Sequence, residues 1–189
     1  MKVLVTGFEP FGGDTVNASW EAVRCLPDKI EGADILGLRV PVEYGVAGSH
    51  VLEAIRRSNP ALVLCVGLAS DRCEVTPELF AINWRMSAMA DNEGTAYRGE
   101  KIREDGPAAL MTDLPVLDMV DAIRSEGIPC RLSLSAGSFV CNDLYWSVLE
   151  LAAGNGLPVL FVHVPSDYEI APEDSAKALQ IIIRMVLSR

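Results

Sequence analysis

Residues 46–67 read VAGSHVLEAIRRSNPALVLCVG, and this stretch decides the fold class. From Val46 to Arg57 the apolar residues recur at helical spacing, and Ser58-Asn59-Pro60 ends the run, because the residue before a proline is biased away from helical backbone. Ala61 to Val66 is then apolar at nearly every position and stops at Gly67. A strand without alternation is a strand buried on both faces, as in a parallel sheet covered by helices on each side.

The same alternation extends outward. Upstream, Val3 to Thr6 reads as a short buried strand that breaks into the turn-rich FEPFGGD at 8–14. Asn17 or Ser19 can cap a helix to about Cys25, which Pro27 closes, and Ile35 to Val42 is the next strand. Downstream, CEVTPELFAINW at 73–84 predicts a hairpin or extended segment projecting from the main sheet, and the polar, Gly-containing stretch 87–105 a mobile loop or lid. Leu114 to Ser125 predicts a helix, Cys130 to Ala136 a strand, Asn142 to Ala153 a helix, Val159 to Val164 a strand and Ser175 to Leu187 a closing helix. The expected class is α/β: a single domain over 1–189, a three-layer αβα sandwich with a mostly parallel central sheet and a projecting hairpin or loop. In such sheets ligands bind where the carboxyl ends of the strands meet the following loops, here 7–18, 67–72, 136–142 and 164–172.

Composition narrows the function. Half of the 189 residues are apolar and 22% are charged, which is a globular rather than a disordered balance. The net charge of −10, with no basic cluster longer than Arg56-Arg57, repels a phosphate backbone and argues against nucleic acid. The N-terminus MKVLVTGFEP lacks the apolar core of a signal peptide, and no later run reaches the ~18 apolar residues of a membrane span, so a cytoplasmic location is expected. Five cysteines with no C-x-x-C pair fit neither a disulfide framework nor a zinc site.

Of these thiols, Cys141 has the setting of a nucleophile, since small residues carry a strand into a helix at that point. Helix N-terminal amides and the dipole lower a thiol pKa and can hold an oxyanion. Cys65 lies in the apolar run and reads as core, and Cys25, Cys73 and Cys130 have no comparable setting. The chain has two histidines. His50 falls on a helix facing solvent, whereas His163 ends the buried run PVLFVHV, at the edge where Cys141 also belongs, and is the expected base. A third group should accept the imidazole N–H, and Asp71, Glu74, Glu78 and Asp167 are all candidates by position. FEPFGGD is a poor phosphate cradle because it fits neither glycine-loop motif and carries Asp14. Phe8 and Phe11 instead suggest an apolar slot for a flat ligand.

Three separated segments carry a family resemblance: TGFEPFGGDTVNASW at 6–20, ELFAIN at 78–83, and AGSFVCN at 136–142 with HVP at 163–165. Together they resemble the pyroglutamyl peptidase I (pyrrolidone-carboxylate peptidase) family, in order over essentially the whole chain. The resemblance implies a cytosolic, metal- and cofactor-independent cysteine peptidase that removes N-terminal pyroglutamyl residues from peptides and forms a homotetramer. It assigns the triad to Cys141, His163 and Glu78, the lactam-sandwiching pair to Phe8 and Phe11, and the pocket border to Gly67, Leu68, Ala69 and Val140. Two positions depart from the pattern. Leu68 stands where family members typically have Gln, and Ala88 where they have Arg, so that Arg72 or Arg85 becomes a candidate substitute cation. A non-catalytic homologue that binds pyroglutamyl peptides is the alternative, and a phosphorolytic nucleoside transferase a remote one.

Overall fold

The computed structural model describes residues 1–189. Its strands are β1 (Lys2–Phe8), β2 (Lys29–Ile30), β3 (Ala33–Val40), β4 (Leu62–Leu68), β5 (Thr76–Glu78), β6 (Phe80–Ile82), β7 (Ala109–Met111) and β8 (Val159–Val164). Its helices are α1 (Ala18–Arg24), α2 (Val46–Ser58), α3 (Val116–Ser125), α4 (Val140–Ala153) and α5 (Pro172–Leu187). Six strands form the main sheet in the order β2-β3-β1-β4-β8-β5. The four central strands run parallel, and the edge strands β2 and β5 run antiparallel to their neighbours.

Residue alternation in the central strands produces the layers. In β4, Leu62, Leu64 and Val66 join the core under α1, α3 and α5, while Val63 and Cys65 join the core under α2 and α4. β8 divides the same way, with Leu160, Val162 and Val164 on one side and Val159 and Phe161 on the other. Each fully buried side chain of this size contributes about 1.5–3 kcal/mol through removal from water, which is why these strands have no polar face to offer. Thus the helix and strand at 46–67 are a helix over one sheet face and the strand beneath both layers. None of the helices is long and apolar enough to cross a membrane.

Local chemistry explains the boundaries. Asn17 caps α1, its side-chain oxygen accepting the Ser19 N–H at 3.0 Å and the Ser19 hydroxyl at 2.7 Å. Gly7 carries no side chain because a Cβ there would come within 2.8 Å of the Trp20 backbone, where α1 crosses β1. α4 begins at Val140 rather than Asn142, so Cys141 lies inside the first helical turn.

Two expectations are corrected. The segment 73–84, expected as a hairpin or extended segment projecting from the main sheet, is extended and pairs outside itself: β5 joins the main sheet against β8, while β6 pairs with the distant β7 in a separate two-stranded sheet. Residues 130–136 are not a strand but make isolated parallel bridges, Cys130 with Val75 and Ser133 with Glu78. Backbone bonds run from Val75 N–H to Pro129, from Arg131 N–H to Val75, from Ser133 N–H to Pro77 and from Leu79 N–H to Ser133. The missing rung belongs to Pro77, which has no N–H to donate towards Arg131, and a ladder that loses its middle bond breaks into bridges.

The 87–105 segment has no regular structure but is tied at several points. Asp91 accepts the Tyr44 N–H at 3.0 Å with one oxygen and the Glu93 and Thr95 N–H groups with the other, and Asn92 donates to Glu9 and the Pro10 carbonyl.

Candidate active site

Antiparallel docking of β5 on β8 pairs Thr76 with His163 and Glu78 with Phe161. This brings the Glu78 carboxylate against the imidazole, with Oε1 2.7 Å from His163 Nδ1. Glu78 is wholly buried and His163 is 5% exposed. The carboxylate can only accept, so in the neutral imidazole Nδ1 carries the hydrogen and Nε2 keeps its lone pair. The Arg72 guanidinium closes the back of this pair, donating to the same Glu78 oxygen at 2.6 Å and to Thr76 Oγ1 at 2.5 Å.

The thiol approaches from the opposite side. Gly67 is the cross-strand partner of His163, and a Cβ on Gly67 would stand 3.0 Å from Cys141 Sγ and 2.8 Å from Phe161 Cζ. The sulfur therefore lies over the rung that Gly67 and His163 share, with Phe161 packed beneath it, 4.8 Å from the His163 ring centroid to centroid. Only glycine leaves room for it. Around the sulfur, the backbone N–H groups of Val140, Cys141 and Asn142 have no backbone acceptor, as expected at a helix start. Asn142 pins that start in place, accepting the Ile82 N–H at 2.9 Å and donating to the Ile82 and Trp84 carbonyls.

Electrostatics correct one expectation. A helix N-terminus should lower the thiol pKa, yet burial pushes Cys141 up to about 12, and the Glu78 charge adds to the rise while Arg72 and the Cys141 N–H oppose it. Removal from water outweighs the partial charges of the helix end. The resting sulfur is consequently a thiol, with Nε2 of the imidazole free to take its proton.

Beside the sulfur opens a cavity of about 300 Å³, lined among others by Phe8, Phe11, Val42, Leu68, Met89, Phe139 and Val140. Asp14 is the one charged residue among its walls. Phe11 packs on Phe139 with centroids 5.3 Å apart, and Phe139 meets the Tyr44 ring edge-on at 5.4 Å. Of the expected border residues, Phe8, Phe11, Leu68 and Val140 reach this cavity, while Gly67 lies behind the sulfur and Ala69 spends its N–H on the Val164 carbonyl. Val42, Met89 and Phe139 escaped the sequence reading. Phe139 was the one within reach of it, sitting two residues before Cys141 in the AGSFVCN run.

Neither candidate substitute for the cation at Ala88 is at the cavity. Arg72 is engaged with Glu78, and Arg85 binds Asp143 at 2.5 Å and stacks over the Tyr97 ring at 5.3 Å. Asp71 and Asp167 are exposed, and Glu74 pairs with Arg131 at 3.0 Å, so none of the three rivals to Glu78 meets the imidazole.

A parallel α/β sheet that gathers a thiol, an imidazole and a buried carboxylate at the carboxyl ends of its strands has the architecture of a cysteine peptidase. The pyroglutamyl peptidase family model matches residues 1–186. A pyrrolidone-carboxylate peptidase of Bacillus velezensis is 41% identical over 183 residues, covering 95% of this chain and 85% of its relative. One from Thermococcus kodakarensis is 40% identical over 197 residues, covering 98% and 96%. The crystal structure of Bacillus amyloliquefaciens pyroglutamyl peptidase I superposes with a TM-score of 0.94 at 36% identity, over 100% of this chain and 97% of that one. The chain belongs to the pyroglutamyl peptidase family.

Proposed function

We propose that this protein is a cysteine exopeptidase that removes N-terminal pyroglutamyl residues from peptides, with Cys141 as nucleophile, His163 as general base and acid, and Glu78 as the group that orients the imidazole. The observation that carries this reading is the 2.7 Å contact between His163 Nδ1 and a wholly buried Glu78, which leaves Nε2 the free nitrogen beside the sulfur's rung.

The chemistry follows from that geometry. Cys141 Sγ attacks the pyroglutamyl carbonyl carbon as its proton passes to His163 Nε2. Because the resting thiol is protonated, proton transfer accompanies attack instead of preceding it. Free N–H groups at the start of α4 hold the developing oxyanion, a contribution of about 3 kcal/mol per well-placed donor. His163 then protonates the departing amine, leaving a thioester on Cys141. A water, deprotonated by the same nitrogen, releases pyroglutamate. The cavity of Phe8, Phe11, Leu68, Phe139 and Val140 suits a neutral lactam ring, and a charged α-amino group would be poorly solvated among those side chains. Gly67 leaves room for the sulfur beside this cavity. We further propose that residues 1–189 act as one domain, in the cytoplasm and as a homotetramer. Exposed Trp84, Met86 and Leu134 are apolar groups that subunit contacts would cover, and light scattering on the pure protein tests the tetramer.

Hydrolysis of a pyroglutamyl-aminomethylcoumarin by the reduced protein, lost by at least about 10³-fold in Cys141→Ala, is the expected result. The difference in absorbance at 240 nm between the two proteins should stay flat at pH 7 and rise only in strong alkali, as a thiol raised to about 12 requires. Binding of a pyroglutamyl peptide by calorimetry without any turnover would replace this reading with that of a non-catalytic homologue.

A further inference from the structure

We propose that Arg72 is a positioning residue for the Cys–His–Glu site, one guanidinium that fixes both the imidazole and the backbone of His163. This rests on the triad reading above. The tight turn after β4, closed by the Arg72 N–H to the Ala69 carbonyl at 3.1 Å, sends the Arg72 side chain back across the strand it precedes. Its Nη1 has two hydrogens and two acceptors. One is Glu78 Oε1 at 2.6 Å, the oxygen that also takes the His163 Nδ1–H. The other is Thr76 Oγ1, whose own hydrogen is directed at the His163 backbone carbonyl at 3.4 Å. The guanidinium is thus joined to the imidazole through a carboxylate and to the main chain of the same residue through a hydroxyl. A third, longer contact runs from Nη2 to the Ser135 carbonyl at 3.4 Å, in the segment that leads to Cys141.

Charge supports the same role. The titratable groups facing Glu78 are Arg72 from the β4–β5 turn, His163 from β8, and Cys141 and Tyr145 from α4. Arg72 is the one permanent cation among them. Its removal leaves a wholly buried carboxylate held by the imidazole contact alone, so that nothing else fixes the oxygen that orients the ring. Glu78 Oε2 is buried and has no hydrogen-bond partner, so it supplies no second anchor for the carboxylate. A carboxylate free to turn away from Nδ1 no longer demands the Nδ1–H tautomer. Arg72 is also the side chain that opposes the upward push on the Cys141 thiol. Loss of a cation favours the protonated form of each group it faces, which moves the active ionisation state to higher pH.

The test compares wild type, Arg72→Met and Arg72→Lys by the pH dependence of pyroglutamyl-aminomethylcoumarin hydrolysis, with thermal unfolding to establish folding. For Arg72→Met we expect kcat to fall about 10- to 100-fold with KM nearly unchanged, and the rising acid limb of kcat/KM to move up by about one pH unit. Arg72→Lys should restore the limb and part of kcat, since it keeps the charge but loses the fork. Nitrogen-15 spectra of the labelled imidazole give a readout independent of turnover: His163 should be Nδ1-protonated in wild type at neutral pH and a tautomer mixture in Arg72→Met. An unmoved limb with an unchanged tautomer overturns the positioning role, even if kcat falls. Should wild type itself prove inactive, the spectra still decide the positioning role while the peptidase reading alone fails.

Discussion

The two ends of the candidate site are built on different principles. At the acid–base end, Arg72, Thr76, Glu78 and His163 hold one another through contacts of 2.5–2.7 Å, and Glu78 has no exposure at all. At the binding end, the walls are aromatic and aliphatic rings that touch through surfaces, and Met89, at 56% exposure, stands partly in solvent. Hydrogen-bonded networks in low dielectric lose heavily when one member is replaced, because the remaining polar groups stay buried and unpaired. Apolar walls lose contact area, which is graded. A single change at the acid–base end should therefore cost one to several orders of magnitude in rate, while a single change at the cavity should retune it.

Glu78→Gln is the sharpest way to break that contrast. The amide keeps the size of the side chain, but its NH₂ group can turn towards Nδ1 and its oxygen no longer carries charge for Arg72 or the imidazolium. We expect kcat to fall by about 10²- to 10⁴-fold, by the tautomer argument that governs such triads. Binding of a pyroglutamyl peptide to the variant, measured by calorimetry, should change less than about threefold, since the cavity is separate from the substituted group. A kcat within a factor of a few of wild type would show that the network tolerates the loss of a member and overturn the contrast.

Gly67→Ala tests the seam between the two ends. Its Cβ would meet Phe161 Cζ at 2.8 Å and Cys141 Sγ at 3.0 Å, and Phe161 is fully buried with no room to retreat. Displacing these groups should destabilise the protein by about 1–3 kcal/mol, visible as a fall in Tm, and should lower kcat by about tenfold or more because the sulfur leaves its rung. A stable variant with normal kcat would mean that the sulfur is free to shift.

How far the sequence foretold this contrast depends on the range of the forces involved. β8 runs over the very residues 159–164 that its apolar run predicts, because burial on both faces is written into consecutive positions. The 130–136 segment has the sequence of a strand but not its ladder, because its regularity depends on a neighbour: Pro77, on β5, withholds one bond. β7, three residues long, has too little pattern to announce itself. At the site, Cys141 and His163 were legible from their places at strand ends, whereas Glu78 stood level with Asp71, Glu74 and Asp167 until motif resemblance separated them. The reason is topological. Only the antiparallel docking of β5 on β8 puts residue 78 rather than residue 74 against the imidazole, and no local pattern records strand direction. The direction of the thiol pKa is hidden for a similar reason, since local sequence shows the helix start but not the neighbours that take the half-buried sulfur partly out of water.

Ala88→Arg carries the smallest expected effect and tests the binding end alone. Ala88 is exposed next to Met89, which lines the cavity, and no cation stands among the cavity walls. An arginine at this exposed position adds a cation near the mouth without displacing any packed group. Charge in water-exposed surroundings is screened, so we expect a gain in kcat/KM of about three- to tenfold, on the order of 1 kcal/mol, shrinking as salt is raised from low to physiological concentration. A gain above about a hundredfold would mean that the cation acts directly on the reacting carbonyl, and that the oxyanion is poorly held by the N–H groups at the start of α4 alone. No gain at any salt concentration would show that Leu68 and the apolar walls have settled the site into a form of binding that no longer uses a cation.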